Sequence, residues 1–235
     1  MSIAIKVNIN AALYLRDPQE TKLGKKIIQY GIELIDELGL EAFTFKKLAD
    51  RIGSTESSIY RYFENKHFFL VYLLSWYWEW MNFRIDFNSM NVDDPKEKLR
   101  IVIKTIVDTI RKSAAAEYID RDALHRIVVA EGTKAYHIKE IDEENSKGFF
   151  LTYKSLNSKI AGIIKEVEPN FPYPNALAIN LHEMANDHMY FSEHLPSLTD
   201  CQVKDGKLDS LVQMLEFFTF RMLGLPAEAE KCKDQ

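Results

Sequence analysis

The residues best placed to do chemistry together lie between Thr44 and Lys66. Phe45-Lys46-Lys47-Leu48-Ala49-Asp50-Arg51-Ile52-Gly53 and Thr55-Glu56-Ser57-Ser58-Ile59-Tyr60-Arg61-Tyr62-Phe63 read as two short helices, about 44–51 and 55–63, broken at Gly53. Ala49 is small where two helices must approach closely, and Gly53, four residues on, can take the positive φ of a tight turn. Ile59 can face back onto Leu48 and Ile52, and Phe63 continues that inward face one turn later. The opposite face of the second helix carries Glu56, Ser57, Ser58 and Arg61, small or polar side chains suited to the base edges of a DNA major groove. Thr44 and Thr55 stand at the two helix starts, where a hydroxyl can cap the helix and exposed N–H groups can hold a phosphate. The spacing is that of a helix-turn-helix, although similar hairpins occur in many all-α proteins.

The elements that must hold these residues are helical almost throughout. Asp17-Pro18 predicts a helix start, running through Ile27, Ile28, Leu34, Ile35 and Leu38 to a stop at Gly39. A long helix is expected from near Asn65 to Phe87, then a polar linker from Asn88 to Pro95. Further helices are expected at 95–115, 119–136 and 140–167, and at 175–195 and 207–223 beyond the proline-rich segment Glu168–Pro174. Strand-like alternation is confined to Ile3, Ile5, Val7 and Ile9, an arm or a short edge strand. The expected fold is all-α with about nine helices. Residues 1–65 would form the arm and a three-helix helix-turn-helix head, and residues 66–235 a larger helical domain for dimerisation and ligand binding.

Charge and composition narrow the classes. The chain has 235 residues, 46% hydrophobic and 28% charged, a composition that packs a core and does not remain disordered. A net charge of −5 excludes a uniformly basic nucleic-acid coat, but not a local basic face. Residues 1–70 hold ten basic and nine acidic side chains, a net of +1 that leaves −6 for the rest. Lys22, Lys25 and Lys26 cluster at the start of the first helix, with Glu33, Asp36 and Glu37 at its end, so DNA affinity is expected to be modest and salt-dependent. Cys201 and Cys232 cannot build a multi-bridge framework and read as free thiols in a reducing compartment. The apolar run Phe68–Trp78 is short of the ~20 residues of a membrane span, so no membrane partner is expected and the chain reads as soluble and cytoplasmic.

Thr55–Lys66 resembles the recognition helix and following turn of the TetR family of bacterial transcription regulators, where a Tyr-x-Tyr-Phe-x-x-Lys pattern closes the DNA-reading unit. Tyr60, Tyr62, Phe63 and Lys66 match it, as does Gly53, and Gly39-Leu40-Glu41-Ala42-Phe43-Thr44 is similar to the family's loop between its first two helices. The resemblance covers roughly residues 20–70. It implies a homodimeric all-α regulator that binds a palindromic double-stranded operator and is usually released by a small molecule. Carried onto this sequence, it makes Ser57, Ser58 and Arg61 candidates for base edges, and Thr44, Thr55, Tyr60, Tyr62 and Lys66 candidates for phosphates. Ser54 and Glu56 depart from the common pattern; Glu56 either accepts a hydrogen bond from cytosine N4 or repels phosphate.

In the second half, Leu177, Leu181, Met184, His188, Phe191 and Leu195 recur at steps of four and three. Leu208, Leu211, Leu215, Phe218 and Met222 do the same. Two such seams suit a four-helix bundle made by two copies of the chain, or an intrachain core. His182, His188 and His194 are six residues apart, about 600° around a helix, and point three ways, so no metal site is assigned to them. Trp76, Trp80 and Phe83 share one helical face and, with Tyr153, are candidates for lining a ligand cavity. The resemblance puts such a cavity among the central helices, and these side chains would suit an apolar or aromatic effector or simply pack a core. No Gly-rich phosphate loop, nucleophile elbow or ligand-spaced His/Cys set is present, so no catalytic residue and no cofactor are assigned. The reading is a ligand-responsive regulator, most simply a repressor. Its rivals are a similar binding module whose head has lost operator recognition, and an all-α enzyme using the central cavity.

Overall fold

The computed structural model describes residues 7–109, 118–202 and 208–226. Among them there are eleven α-helices, three short 3-10 turns and no strand. The first four helices are α1 (Lys22–Ala42), α2 (Phe45–Ile52), α3 (Glu56–Tyr60) and α4 (Lys66–Ser89). They are followed by α5 (Pro95–Thr109), α6 (Arg121–Glu131), α7 (Thr133–Tyr136) and α8 (Ile141–Ser146). The last three are α9 (Leu151–Val167), α10 (Pro174–His194) and α11 (Asp209–Met222). No helix among the described residues is long and apolar enough to cross a membrane.

The class is as the sequence predicts, and the differences have local causes. Asp17-Pro18 starts only a 3-10 turn, Pro18–Glu20; the helix proper begins where the Thr21 hydroxyl accepts from the Gly24 N–H at 2.9 Å. The expected helix 119–136 breaks at Gly132 into α6 and α7. The expected helix 140–167 breaks into α8 and α9 because Gly148 takes a φ of 79°, a left-handed turn that glycine enters without strain. Among the described residues of the arm, Val7 and Ile9 are buried and Asn8 is exposed, and they form no strand. Ile3, Ile5 and Cys232, and the 110–115 end of the helix expected at 95–115, lie outside the described residues.

The chain divides into two compact units, Met1–Asn82 with Ile110–Lys154, and Phe83–Thr109 with Ser155–Gln235. The first is centred on rings. Phe43 stacks on Phe69 at 5.8 Å, and Phe63 meets Phe69 and Tyr72 edge-on at 4.9 and 5.2 Å. Fully buried Ile27, Ile28, Ile32, Leu48 and Ile59 fill the space around them. The second unit is aliphatic: Leu99, Val102, Ile103 and Ile106 of α5 are buried, as are Leu177 and Leu181 of α10 and Leu211 and Leu215 of α11. At its surface the Arg100 guanidinium lies 5.0 Å from the Phe220 ring centre, and Lys159 reaches Asp86 at 2.7 Å.

Candidate functional site

Two side-chain and backbone locks set the geometry of α2 and α3. The Thr44 hydroxyl accepts from the Lys47 N–H at 3.2 Å and opens α2. Gly53, at φ 65° and ψ 42°, ends it, and the Ser54 N–H returns to the Ala49 carbonyl at 2.9 Å. A side chain at Gly53 would meet nothing, so the demand there is conformational, not steric. Ile59 anchors α3 in the core, and Tyr60, 47% exposed, leans edge-on against Phe45 at 5.1 Å.

That anchoring turns Glu56, Ser57 and Arg61 outward together with Thr44, Thr55 and Tyr60, while Ser58 is half-buried. Thr55 does not cap α3 through its side chain as expected. Its Oγ1 instead lies 3.0 Å from Ser57 Oγ and 2.8 Å from Ser58 Oγ, a cluster of three hydroxyls at the helix start. The helix ends at Tyr60, three residues before the expected 63, because the Tyr62 and Phe63 N–H groups both return to the Ile59 carbonyl and swing those rings inward.

Two of the anticipated phosphate ligands are therefore engaged elsewhere. Tyr62 is only 2% exposed; its hydroxyl lies 2.8 Å from that of Thr21, and the Arg16 guanidinium covers its ring at 5.6 Å. Lys66 donates from Nζ to the Leu40 and Glu41 carbonyls at 3.0 and 3.3 Å, holding the last turn of α1. Lys47 likewise reaches the Ala42 carbonyl at 2.8 Å. Arg51 is joined to Glu37 at 2.8 Å; the bond raises the guanidinium's pKa, lowers the carboxyl's, and removes a net positive charge from the surface. Lys22, Lys26, Lys46 and Arg61 are also exposed, as is Glu56.

Sequence spacing gives no sign of what holds the head to the rest of its unit. The Leu40 N–H donates to the Glu131 carboxylate at 2.9 Å, across 91 residues, and Glu131 also meets Lys134 at 2.7 Å. Arg126 grips Asp36 through two bonds of 2.8 and 2.6 Å. The end of α1 is thus clamped between α6 and Lys66 of α4.

The same unit contains a narrow cleft, about 10 Å³ of free volume, lined by Val71, Leu74, Ser75, Trp78, Tyr136, Phe149, Phe150, Thr152 and Tyr153. Its aromatic wall is layered: Trp78 stacks on Tyr153 at 4.6 Å, Tyr153 on Tyr136 at 5.5 Å, and Trp78 Nε1 donates to the Tyr136 hydroxyl at 3.0 Å. Ser75 and Thr152 supply hydroxyls, and no charged side chain lines it. Of the four anticipated pocket residues, Tyr153 lies here. Trp76 and Trp80 stack on each other at 6.1 Å on another face of α4, with the Arg121 guanidinium 5.3 Å from the Trp80 ring. Phe83 is 42% exposed against Phe87. The first turns of α4 are apolar on every side, so periodicity could not say which face meets the cleft.

The two leucine seams also resolve differently from the dimer reading. Leu177, Leu181, Leu208, Leu211 and Leu215 are buried within the second unit, in a core shared with α5. Met184, His188 and Phe191 are half-buried, with His188 Nδ1 2.8 Å from the Thr199 hydroxyl. Phe218 and Met222 are exposed beside Phe217. Among the described residues no cluster of three potential metal ligands occurs.

Residues 27–71 match the family described as bacterial regulatory proteins, tetR family. No curated protein matches the chain. Among solved structures, AibR in complex with isovaleryl coenzyme A and operator DNA aligns with a TM-score of 0.59 at 13% identity, over 81% of this chain and 97% of that one. A transcriptional regulator from Rhodococcus sp. Rha1 aligns with a TM-score of 0.61 at 14% identity, over 89% and 97%. The superantigen PfiT aligns with a TM-score of 0.59 at 14% identity, over 89% and 98%. Identities this low speak for the fold alone. The residues that give the head its identity are the ones that build it: Phe45, Leu48, Ala49, Gly53, Ile59 and Phe63. Residues 27–71 therefore form a head of the kind found in the tetR family of bacterial regulatory proteins, on a chain whose all-α fold those solved structures share.

Proposed function

We propose that the chain is a homodimeric, cytoplasmic transcription repressor, and not an enzyme, that reads a palindromic operator through α3 and is released by a small, uncharged aromatic or apolar molecule. The observation that carries the reading is the division of α3 into two faces. Ile59 is fully buried, while Glu56, Ser57 and Tyr60 of α3, with Arg61 just beyond it, stand out after a glycine turn that ends the threonine-capped α2. A helix with such a polar face suits a major groove. Arg61 and the α3 hydroxyls are the base-edge candidates, Thr44 and Tyr60 the phosphate candidates, and Lys22, Lys26 and Lys46 supply positive charge nearby. Operator DNA in the AibR complex supports the DNA partner.

The effector site would be the aromatic cleft, whose uncharged lining favours a neutral ligand. Its free volume of about 10 Å³ holds roughly one water, against roughly 300–1,000 Å³ for usual small-molecule pockets, so an effector would enter only by parting the walls. Pairing of two copies would use Phe218 and Met222 with the half-buried Met184, His188 and Phe191, in place of the buried leucines. Selection of random duplex DNA by the purified protein, at low and moderate salt, tests the reading. A recovered palindrome with half-sites about 34 Å apart, or somewhat more, is expected. Retention without a consensus, lost as salt rises, would instead favour a head that no longer reads an operator, the role to which Glu56 would then point.

A further inference from the structure

Residues 7–16 do not hang from the head; they are built into it. Val7, Ile9 and Leu13 are buried, Leu13 completely. Gln19 clamps the backbone of Val7 from both sides, its Oε1 accepting from the Val7 N–H at 3.2 Å and its Nε2 donating to the Val7 carbonyl at 2.9 Å. Further along, Tyr14 meets Tyr72 edge-on at 6.0 Å. The Leu15 N–H then donates to the carbonyl of Tyr62 at 2.8 Å, and Arg16 covers the ring of the same residue. Tyr62 lies two residues beyond the end of α3 and directly after Arg61, so this end of the segment is fixed to the reading helix.

The other end is fixed to the cleft. Asn10 Nδ2 donates to the carbonyl of Lys147 at 2.9 Å, while Asn10 Oδ1 accepts from the Ala12 N–H at 2.9 Å, so the amide is oriented from both sides. Lys147 opens the left-handed turn at Gly148, where a Cβ would meet Leu151 Cδ1 at 2.8 Å and Asn10 Nδ2 at 3.2 Å. The next two residues, Phe149 and Phe150, are walls of the cleft.

We propose that residues 7–16 act as an intramolecular strap, with Asn10 as its positioning residue, that couples the walls of the aromatic cleft to the position of the reading helix. The proposal rests on the regulatory reading above and adds to it the route by which the two sites communicate. The strapped form is the operator-binding form: it holds Tyr62, and with it Arg61, in one place. A molecule that moves Phe149 and Phe150 shifts the Lys147 carbonyl and loosens the strap.

The test uses the full chain, the duplex that the wild type selects, and two variants. Asn10→Asp keeps the acceptor for the Ala12 N–H but cannot donate to Lys147. Gly148→Ala disturbs the same contact from the cleft side, straining the left-handed turn and crowding Leu151 as well as Asn10, so its effect is read beside that of Asn10→Asp. Hydrogen exchange at the Leu15 N–H and operator affinity well below the melting temperature are the readouts, since a purely structural role would move the melting temperature and not the affinity of the folded protein. Both variants are expected to speed exchange at Leu15 and to weaken operator binding by about fivefold, the scale of one hydrogen bond. Exchange and affinity both at the wild-type level in Asn10→Asp would overturn the strap, as would faster exchange with unchanged affinity. If the wild type selects no duplex, the regulatory reading fails first. The Leu15 exchange rates then still decide whether Asn10 holds the segment.

Discussion

Tyr62 and Thr21 share one hydrogen bond, 2.8 Å between their hydroxyls, and it joins the end of the reading helix to the residue that starts α1. The same Thr21 oxygen caps α1 at the Gly24 N–H. Removing the Tyr62 hydroxyl should therefore act on the stability of the head and leave its outer face alone. We expect Tyr62→Phe to cost about 1 kcal/mol in urea unfolding and to leave operator affinity within about twofold. A large loss of DNA binding in a protein of normal stability would return Tyr62 to the list of phosphate ligands.

Arg61 should behave in the opposite way. It is exposed and lies one residue beyond α3. Arg61→Ala should leave the melting temperature where it is. If Arg61 meets a base edge, the variant should lose about 1–3 kcal/mol of binding and relax specificity at one position. If it meets a phosphate, the loss should be uniform across sequences and the salt slope should fall by about one. Titrations at three salt concentrations separate these cases, and unchanged binding at all three would remove Arg61 from the interface.

The contrast between these two residues shows what the sequence could and could not say. The motif located the head because its glycine, small and apolar positions are set by how two helices must meet, and Gly53, Ala49 and Ile59 occupy the places that spacing assigned to them. Which aromatic residues face outward was not legible. Tyr60 and Tyr62 differ by two residues, and the early end of α3 turns one out and the other in. In α4 the apolar residues surround the helix, so no period marked Trp78 for the cleft over Trp76. In α10 and α11 a clean leucine period was present, yet it recorded packing against α5 within the chain. A periodic seam states that a face is buried and is silent on what buries it.

Long-range polar contacts left no trace in the spacing at all, and Glu131 is the clearest case. It is buried, accepts from the Leu40 N–H and pairs with Lys134. Glu131→Ala would leave the Leu40 N–H without an acceptor, at a cost of about 1–3 kcal/mol. Glu131→Gln keeps an acceptor in place and should recover most of that loss. Unfolding curves for the pair decide the matter: equal stability of the two variants would mean that the contact contributes nothing.

The last prediction concerns acid. His125 is buried on α6 with Nδ1 2.9 Å from the Tyr77 hydroxyl. Burial, aided by the neighbouring Arg126 charge, lowers its pKa from 6.5 to about 4. Burial raises that of Tyr77, so the phenol keeps its proton and donates it to a neutral imidazole. Below pH 6.5 the unfolded chain takes up a proton at this residue that the folded chain refuses until about pH 4. Stability is therefore complete above pH 6.5 and is lost as the pH falls toward 4, at about 1.4 kcal/mol per pH unit and roughly 3 kcal/mol in all. His182, buried in the second unit, is also lowered to about 4 and adds a loss of the same sign. His125→Gln retains an acceptor for Tyr77 and does not titrate. Urea unfolding at pH 5, 6 and 7 should show its slope with pH reduced by one proton relative to wild type. An unchanged slope would mean that His125 takes up its proton as readily in the folded protein as in the unfolded chain.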